Sequence, residues 1–162
     1  MLALGIDPGT AICGYGLVNG VGSKLIPVHH GAVITSPALE MPLRLLKIFN
    51  ELNAIITEYR PDVVAIEQLF FNKNVKTALS VGQARGVIML AAAKNNLPIL
   101  EYTPLQVKLA VVGYGQADKQ QVAFMIMRLL GIKEQPKPDD VTDALAIAVC
   151  AIHSSANSAS WR

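Results

Sequence analysis

The chain has 162 residues, of which 52% are hydrophobic and 16% are charged, and its formal net charge is +2. This size and composition predict one globular domain and exclude an intrinsically disordered protein. Charged residues interrupt every apolar stretch before the roughly 18 residues that a membrane-spanning helix needs, so a membrane protein is also excluded.

The first part of the chain is predicted to form a meander of strands followed by a helix. Residues 2–7 are typical of a buried strand that ends in an acid, and residues 8–10, Pro-Gly-Thr, of a turn. Residues 12–18 and 25–34 predict two more strands. The apolar residues of 43–59 recur at the three-and-four spacing of an amphipathic helix.

The second part alternates between strands and helices. Residues 62–67 predict a buried strand that again ends in an acid, and residues 99–102 predict a short one. The predicted helices cover residues 76–94, 104–111, 119–130 and 140–153. This order favours an α/β fold with a mixed sheet covered by helices. We expect residues 154–162 to form a polar, disordered tail.

The cysteines and the first residues indicate the compartment. Cys13 and Cys150 lie far apart in apolar contexts, which favours two buried free thiols over a disulfide. Residues 1–7 lack the basic region and the apolar core of a signal peptide. We therefore expect a cytoplasmic protein.

Four acids occupy positions that a purely structural protein would avoid. Asp7 and Glu67 end hydrophobic strands, and Asp140 and Asp143 lie three residues apart on one face at the start of an apolar helix. Each has a simpler interpretation: Asp7 as a turn residue, Glu67 as an exposed strand end, and the other two as helix-capping acids. We assign the capping role to Asp139.

The four acids together favour a metal site. Two like charges about 4 Å apart repel by about 4 kcal/mol at an effective dielectric constant near 20. Several carboxylates that meet at one sheet edge would therefore lose more free energy through repulsion than helix capping contributes, unless a cation neutralises them. Carboxylate ligands without nearby cysteine or histidine favour Mg²⁺ or Mn²⁺ over Zn²⁺. Two such ions about 3.5–4 Å apart can catalyse phosphodiester hydrolysis. The pattern therefore predicts a metal-dependent nuclease.

Basic residues are concentrated in one segment of the chain. Residues 72–128 contain seven basic side chains against two acids, Glu101 and Asp118. This excess is typical of a surface that binds a polyanion, and equally of an ordinary solvated face. The basic residues are Lys73, Lys76, Arg85, Lys94, Lys108, Lys119 and Arg128.

Two aromatic residues and two glycines lie near the same segment. Phe70 and Phe71 follow Glu67 in a predicted loop, where an aromatic ring can stack on an unpaired base, although one of such a pair commonly belongs to the core. Gly82 and Gly86 lie one turn apart in a predicted helix, where each costs about 1 kcal/mol relative to alanine. Their bare surface permits another helix or strand to approach closely, this chain's own sheet included.

Five motifs follow one another along the chain. They are Gly5-Ile6-Asp7-Pro8-Gly9-Thr10; Ala65-Ile66-Glu67-Gln68; Gly82-Gln83-Ala84-Arg85-Gly86; Gln106-Val107-Lys108 with Val111-Val112-Gly113; and Asp140-Val141-Thr142-Asp143-Ala144-Leu145. In this order they closely resemble the motifs of the RuvC family of Holliday-junction resolvases. The resemblance covers nearly the whole chain, from Met1 to about His153.

The resemblance implies a fold, an activity and a set of catalytic residues. The fold would be one RNase H-like nuclease domain over residues 1–153, with a mixed five-stranded sheet flanked by helices on both faces. The activity would be paired, symmetric incision of four-way DNA junctions by a homodimer, with two Mg²⁺ or Mn²⁺ ions in each active site. The catalytic and metal-binding acids would be Asp7, Glu67, Asp140 and Asp143.

The same resemblance implies roles for other residues and for partners. Lys108 and Lys119 match lysines that contact DNA near the scissile phosphate, and Phe70 matches the aromatic residue that contacts the junction. The helix of Gly82 and Gly86 would lie at the dimer interface. We also expect Lys73 and Lys76, which belong to the basic segment, to bind DNA. A branch-migration complex of RuvA and RuvB is the expected partner.

Three other functions compete with this hypothesis. The Asp7-Pro8-Gly9-Thr10 turn is also similar to the first phosphate loop of actin-like ATPases and sugar kinases, but no second such loop follows. An RNase H-like nuclease of the family linked to ribosomal RNA processing is a second alternative. A non-catalytic DNA clamp is the third, and the four acids disfavour it because they would repel phosphates without any benefit.

Overall fold

The computed structural model of the chain describes residues 1–68 and 75–159. In these residues the chain forms five strands and five helices. The strands are β1 (Leu2–Asp7), β2 (Ile12–Val21), β3 (Lys24–Ile34), β4 (Val63–Glu67) and β5 (Ile99–Tyr102). The helices are α1 (Met41–Tyr59), α2 (Val75–Lys94), α3 (Pro104–Val112), α4 (Lys119–Leu130) and α5 (Asp139–Ala159).

The strands form one mixed sheet in the order β3-β2-β1-β4-β5. β1 pairs antiparallel with β2 and parallel with β4, and β4 pairs parallel with β5. In the parallel pair of β1 and β4, Ile6 lies opposite Ile66. The residues that follow them, Asp7 and Glu67, therefore end neighbouring strands at the same edge of the sheet.

Helices cover both faces of the sheet, as predicted. Side chains alternate between the faces along a strand, so Ala3 joins the core under α3, α4 and α5 while Leu4 joins the core under α1 and α2. Ile126 of α4 belongs to the first core, and Ile48 of α1 and Ile88 of α2 belong to the second. The mixed five-stranded α/β fold expected from the sequence is confirmed.

The last helix lies directly on the sheet because glycines of β1 and β2 leave room for its backbone. A Cβ added to Gly5 would overlap the carbonyl oxygen of Ala144, and one added to Gly14 would overlap that of Asp140. Any larger side chain at these two positions would push α5 away from the sheet. The close approach fixes the first turn of α5 over the strand ends.

Several elements are longer than predicted. β2 and β3 extend to a turn at Gly22, whose φ of 59° suits glycine. α5 continues to Ala159, so residues 154–159 are helical where the sequence predicted a disordered tail, and residues 160–162 lie outside the described part of the chain. Within the extension, the side chain of Ser155 donates a hydrogen bond to the carbonyl oxygen of Ala151 at 2.9 Å.

Both cysteines are free and buried, as the sequence predicted. Among the described helices, none is long and apolar enough to cross a membrane.

Candidate active site

The sheet and the last helix bring the four predicted acids to one place. Asp7 and Glu67 end β1 and β4, and Asp140 and Asp143 lie in the first turns of α5. Gly14 pairs with Asp7 across β1 and β2, and Asp140 packs over this same glycine. All four acids are partly buried, so their carboxyl groups are only partly hydrated.

The electrostatics of Asp7 show how closely these acids interact. The pKa of Asp7 is raised to about 7 by burial, which is the largest cause, and by the negative charges of Asp143, Asp140 and Glu67, in that order. The positive charge of Lys119 opposes these effects. An acid with such a pKa gains or loses a proton near neutral pH.

Glu67 has the same kind of environment. Burial raises its pKa above the ordinary value, the charge of Asp143 raises it further, and the positive charge of Lys108 opposes them. The raised pKa values of both acids show that burial and the neighbouring negative charges together outweigh the opposing charges of Lys119 and Lys108.

Two lysines border the acids. Lys119 begins α4, directly after Asp118, which caps the helix by accepting a hydrogen bond from the backbone N–H of Gln121. The Nζ atom of Lys119 lies 2.9 Å from Oδ2 of Asp143. Lys108 belongs to α3, and both lysines line a cavity of about 210 Å³ together with Asp7, Glu67 and Asp143.

The donor atoms of the site fit a hard divalent cation. All four candidate ligands are carboxylates, and the nearby Cys13 is buried with its pKa raised to about 12, so it would not act as a thiolate ligand. Within residues 1–68 and 75–159, no three His, Cys, Asp or Glu side chains form a ready-made coordination shell. Lys119 pairs with Asp143 instead, and the repulsion described above explains why the carboxylates do not converge on one point.

Two features of the site are missing from the sequence-based prediction. Arg85 was counted as part of a basic face, but its side chain is only 13% exposed. Its Nη1 donates to the backbone carbonyl oxygen of Glu67, and its Nη2 donates to Oε2 of Glu101 at 2.7 Å. The other feature is Gly14, which supports Asp140. The sequence does contain a signal for each feature: Arg85 is an arginine in a largely apolar helix, and Gly14 is a glycine inside a strand.

A hydrogen-bonded chain holds the turn that follows Asp7. The hydroxyl of Thr35, a buried polar side chain, donates to the carbonyl oxygen of Thr10. Arg44 of α1 in turn donates from Nε to this hydroxyl at 2.8 Å. The turn between β1 and β2 is thus tied to β3 and α1, which limits movement of Asp7.

The remaining predicted residues are placed as follows. Lys76 is the second residue of α2, and Phe70 and Lys73, with Phe71, lie outside the described residues. A Cβ added to Gly82 or Gly86 would meet nothing within 4 Å, so these glycines do not pack against the chain's own sheet.

Two other basic residues lie over aromatic rings: Lys94 Nζ is 5.3 Å from the ring centre of Phe49, and Arg128 is 5.3 Å from that of Phe124.

A five-stranded mixed sheet with acids at the ends of β1 and β4 and at the start of the last helix defines a nuclease of the RNase H-like class. The family model of crossover junction endodeoxyribonuclease RuvC matches residues 3–151. RuvC of Heliobacterium modesticaldum is 60% identical over 154 residues, which are 95% of this chain and 95% of that protein. RuvC of Desulfitobacterium hafniense is 59% identical over 95% of this chain and 93% of that protein. The chain belongs to the RuvC family.

Solved structures give the same result. Thermus thermophilus RuvC in complex with a Holliday junction substrate superposes with a TM-score of 0.91 at 36% identity, covering 97% of this chain and 96% of that one. The yeast mitochondrial Holliday junction resolvase Ydc2 shares the fold, with a TM-score of 0.71, 18% identity, and coverage of 99% of this chain and 82% of that one. Family membership disfavours the ATPase and the RNA-directed nuclease as alternatives.

Proposed function

We propose that this protein resolves four-way (Holliday) junctions in DNA recombination and repair by paired, metal-dependent hydrolysis of two phosphodiester bonds. The observation that carries the proposal is the cavity in which Asp7, Glu67 and Asp143 face Lys108 and Lys119, in a chain of the RuvC family. The acids account for metal binding, and the lysines account for attraction of a phosphate.

Asp7, Glu67, Asp140 and Asp143 are the proposed ligands of two Mg²⁺ or Mn²⁺ ions. When bound, these ions supply the charge that activates a water molecule and stabilises the leaving oxygen. The raised pKa values of Asp7 and Glu67 support this role, because the charges of Lys119 and Lys108 only partly offset the effects of burial and of the neighbouring acids. Each acid must lose its proton to bind a metal ion.

Lys108 and Lys119 are proposed to stabilise the negative charge that develops on the scissile phosphate. An ammonium group aimed at such a charge in a partly dry site contributes roughly a 10²–10³-fold rate increase. The ion pair of Lys119 with Asp143 keeps its ammonium group at the cavity. The charge of Lys108 acts on Glu67, so it too lies near the proposed metal ligands.

Paired incision requires two active sites, and we propose that a homodimer supplies them. The exposed side of α2 supports this: Gly82 and Gly86 face open space, and the side chains of Leu79 and Leu90 are 67% and 60% exposed. A bare, apolar helix surface of this kind suits close packing against a second copy. Gly86→Leu should therefore shift the protein toward monomer in analytical ultracentrifugation, whereas Lys94→Gln on the same helix should not.

Junction recognition and partners complete the proposal. The segment of residues 69–74 joins the end of β4 to the start of α2, so Phe70 and Lys73 are close in sequence to Glu67. Stacking of Phe70 on an unpaired base would contribute roughly 1–3 kcal/mol, and Lys73 and Lys76 would bind flanking phosphates. We expect a RuvA–RuvB complex as partner and a cytoplasmic location, where chromosomal DNA lies.

The first test is cleavage of a synthetic mobile four-way junction with Mg²⁺, with EDTA, and beside a linear duplex. Paired nicks that leave ligatable duplexes, on the junction and with metal only, would support the proposal. Asp7→Asn should abolish the nicks, whereas Glu40→Gln, a change at an exposed acid with no side-chain capping bond, should not. Preference for a structured RNA precursor, or cleavage in EDTA, would contradict the proposal.

A further inference from the structure

A groove continues from the catalytic cavity along α4. A surface cavity of about 580 Å³ is lined by Lys119, which also lines the catalytic cavity. A second one, of about 500 Å³, shares Phe124 and Met127 with the first. The two cavities therefore form one path that begins at the proposed catalytic lysine and runs toward the end of α4.

The path carries more positive than negative charge. Lys119 and Lys137 line its first part, and Arg128 and Lys133 line its second. The acid that lines it, Asp139, is already paired with Lys137, whose Nζ lies 3.0 Å from Oδ1. Neither Arg128 nor Lys133 forms an ion pair with any residue that the structure describes, so both cations are available to a ligand.

The floor of the path is apolar and aromatic. The side chain of Phe124 is 58% exposed and lies between the two cavities. The guanidinium group of Arg128 lies 5.3 Å from the centre of this ring. A ring exposed beside cations is the arrangement by which proteins hold single nucleic-acid strands, because the ring contacts a base or sugar while the cations contact phosphates.

We propose that this groove, which we call the α4 groove, binds the DNA strand on one side of the scissile phosphate. The inference rests on the proposed function, because a DNA strand that is cut in the catalytic cavity must extend from that cavity along the protein surface. Continuity through Lys119 and the excess of positive charge favour a phosphate backbone over an apolar protein segment. Arg128 and Lys133 would contact two phosphates beyond those near the cut.

The test measures how junction binding depends on salt. Each phosphate contact contributes about 0.9 to the slope of log affinity against log salt concentration. The double variant Arg128→Gln with Lys133→Gln should therefore lower that slope by about 2, measured in EDTA with a four-way junction. Lys24→Gln is the matched control, because Lys24 is exposed and lies at the β2–β3 turn, at the other end of β2 from Gly14 and Asp7.

A second measurement locates the contacts. Ethylation of single phosphates should interfere with binding of the unaltered protein at two positions on one side of the cut, and these two signals should be absent for the double variant. An unchanged slope with an unchanged ethylation pattern would overturn the α4 groove proposal. Thermal unfolding of the double variant should match that of the control variant, because both replaced side chains are exposed.

The outcomes also separate this proposal from the proposed function. If the unaltered protein cuts the junction and the double variant keeps the full slope, the groove proposal alone fails. If the unaltered protein neither cuts nor prefers a four-way junction over a linear duplex, the proposed function fails before the groove is tested.

Discussion

The guanidinium group of Arg85 donates a hydrogen bond to the backbone carbonyl oxygen of Glu67 and a second one to the carboxylate of Glu101. Arg85 belongs to α2, Glu67 ends β4, and Glu101 belongs to β5. The contact therefore ties the proposed dimer helix to the strand end that carries a proposed metal ligand. Arg85 acts on the site through Glu67, which makes it a positioning residue.

Arg85→Gln should raise the Mg²⁺ concentration needed for half-maximal junction cleavage. Groups that orient metal ligands typically contribute 10–100-fold in metal affinity or activity, and we expect a loss in this range. Junction affinity in EDTA should stay nearly unchanged, since Arg85 is mostly buried. A purely structural role would lower the unfolding free energy without moving the Mg²⁺ dependence of the folded enzyme. Lys94→Gln, on the same helix, is the control.

Asp7→Asn should lower cleavage by at least about 100-fold, because it removes the charge of a proposed metal ligand from the site. Binding of the junction in EDTA should be retained or strengthened, because one negative charge near the phosphate is lost. Gel-shift and single-turnover cleavage assays measure the two effects separately. Full cleavage by this variant would refute the metal-site assignment.

The stability of the metal-free protein should fall as pH rises from about 4 to about 7. The pKa of Asp7 is raised from 3.8 to about 7 in the folded protein, so between these values the folded state binds a proton that the unfolded state has lost. The stabilising contribution is fully present below pH 4 and is lost above pH 7. In the Asp7→Asn variant, this contribution to the slope of the unfolding free energy against pH should disappear.

The same variant should be more stable than the unaltered protein at pH 8 in EDTA. A shift of one pKa unit corresponds to about 1.4 kcal/mol, and we expect a gain in unfolding free energy of at least this size. Urea unfolding at pH 5 and pH 8 measures both effects. Equal pH slopes for the two proteins would show that Asp7 titrates normally in the folded state.

Gly14→Ala should disturb the site more than it disturbs the fold. The added methyl group would overlap the carbonyl oxygen of Asp140, so the first turn of α5 must move away from β2. Overpacking of this kind costs about 1–3 kcal/mol, and displacement of Asp140 should lower cleavage of the protein that remains folded.

Gly20→Ala is the matched control for this change. Its Cβ would lie 2.6 Å from Cγ2 of Ile152, a side-chain atom near the other end of the same helix. It should therefore lower stability with little effect on cleavage per folded molecule. Equal loss of cleavage in both variants would argue against a special role for the Asp140 end of α5.

The sequence by itself determined the order of the elements and the four acids. Strand and helix periods are local properties, and an acid at the end of an apolar strand or at the start of an apolar helix is visible without any distant contact. Asp7, Glu67, Asp140 and Asp143 were predicted in this way, and the structure brings them to one sheet edge. The motifs around them also indicated the family before any geometry was known.

Tertiary structure decided what each residue touches. Pairing of β1 with β4 places Asp7 beside Glu67, although about sixty residues separate them in the chain. The partner of Arg85, the carbonyl oxygen of Glu67, and the contact of α5 with Gly14 are seen only in the folded structure. Helix α5 continues beyond residue 153, its predicted end. Close to that point Ile152 is buried in the core and His153 contacts Ala110 of α3. Such contacts depend on side-chain packing between distant segments, which no local pattern encodes.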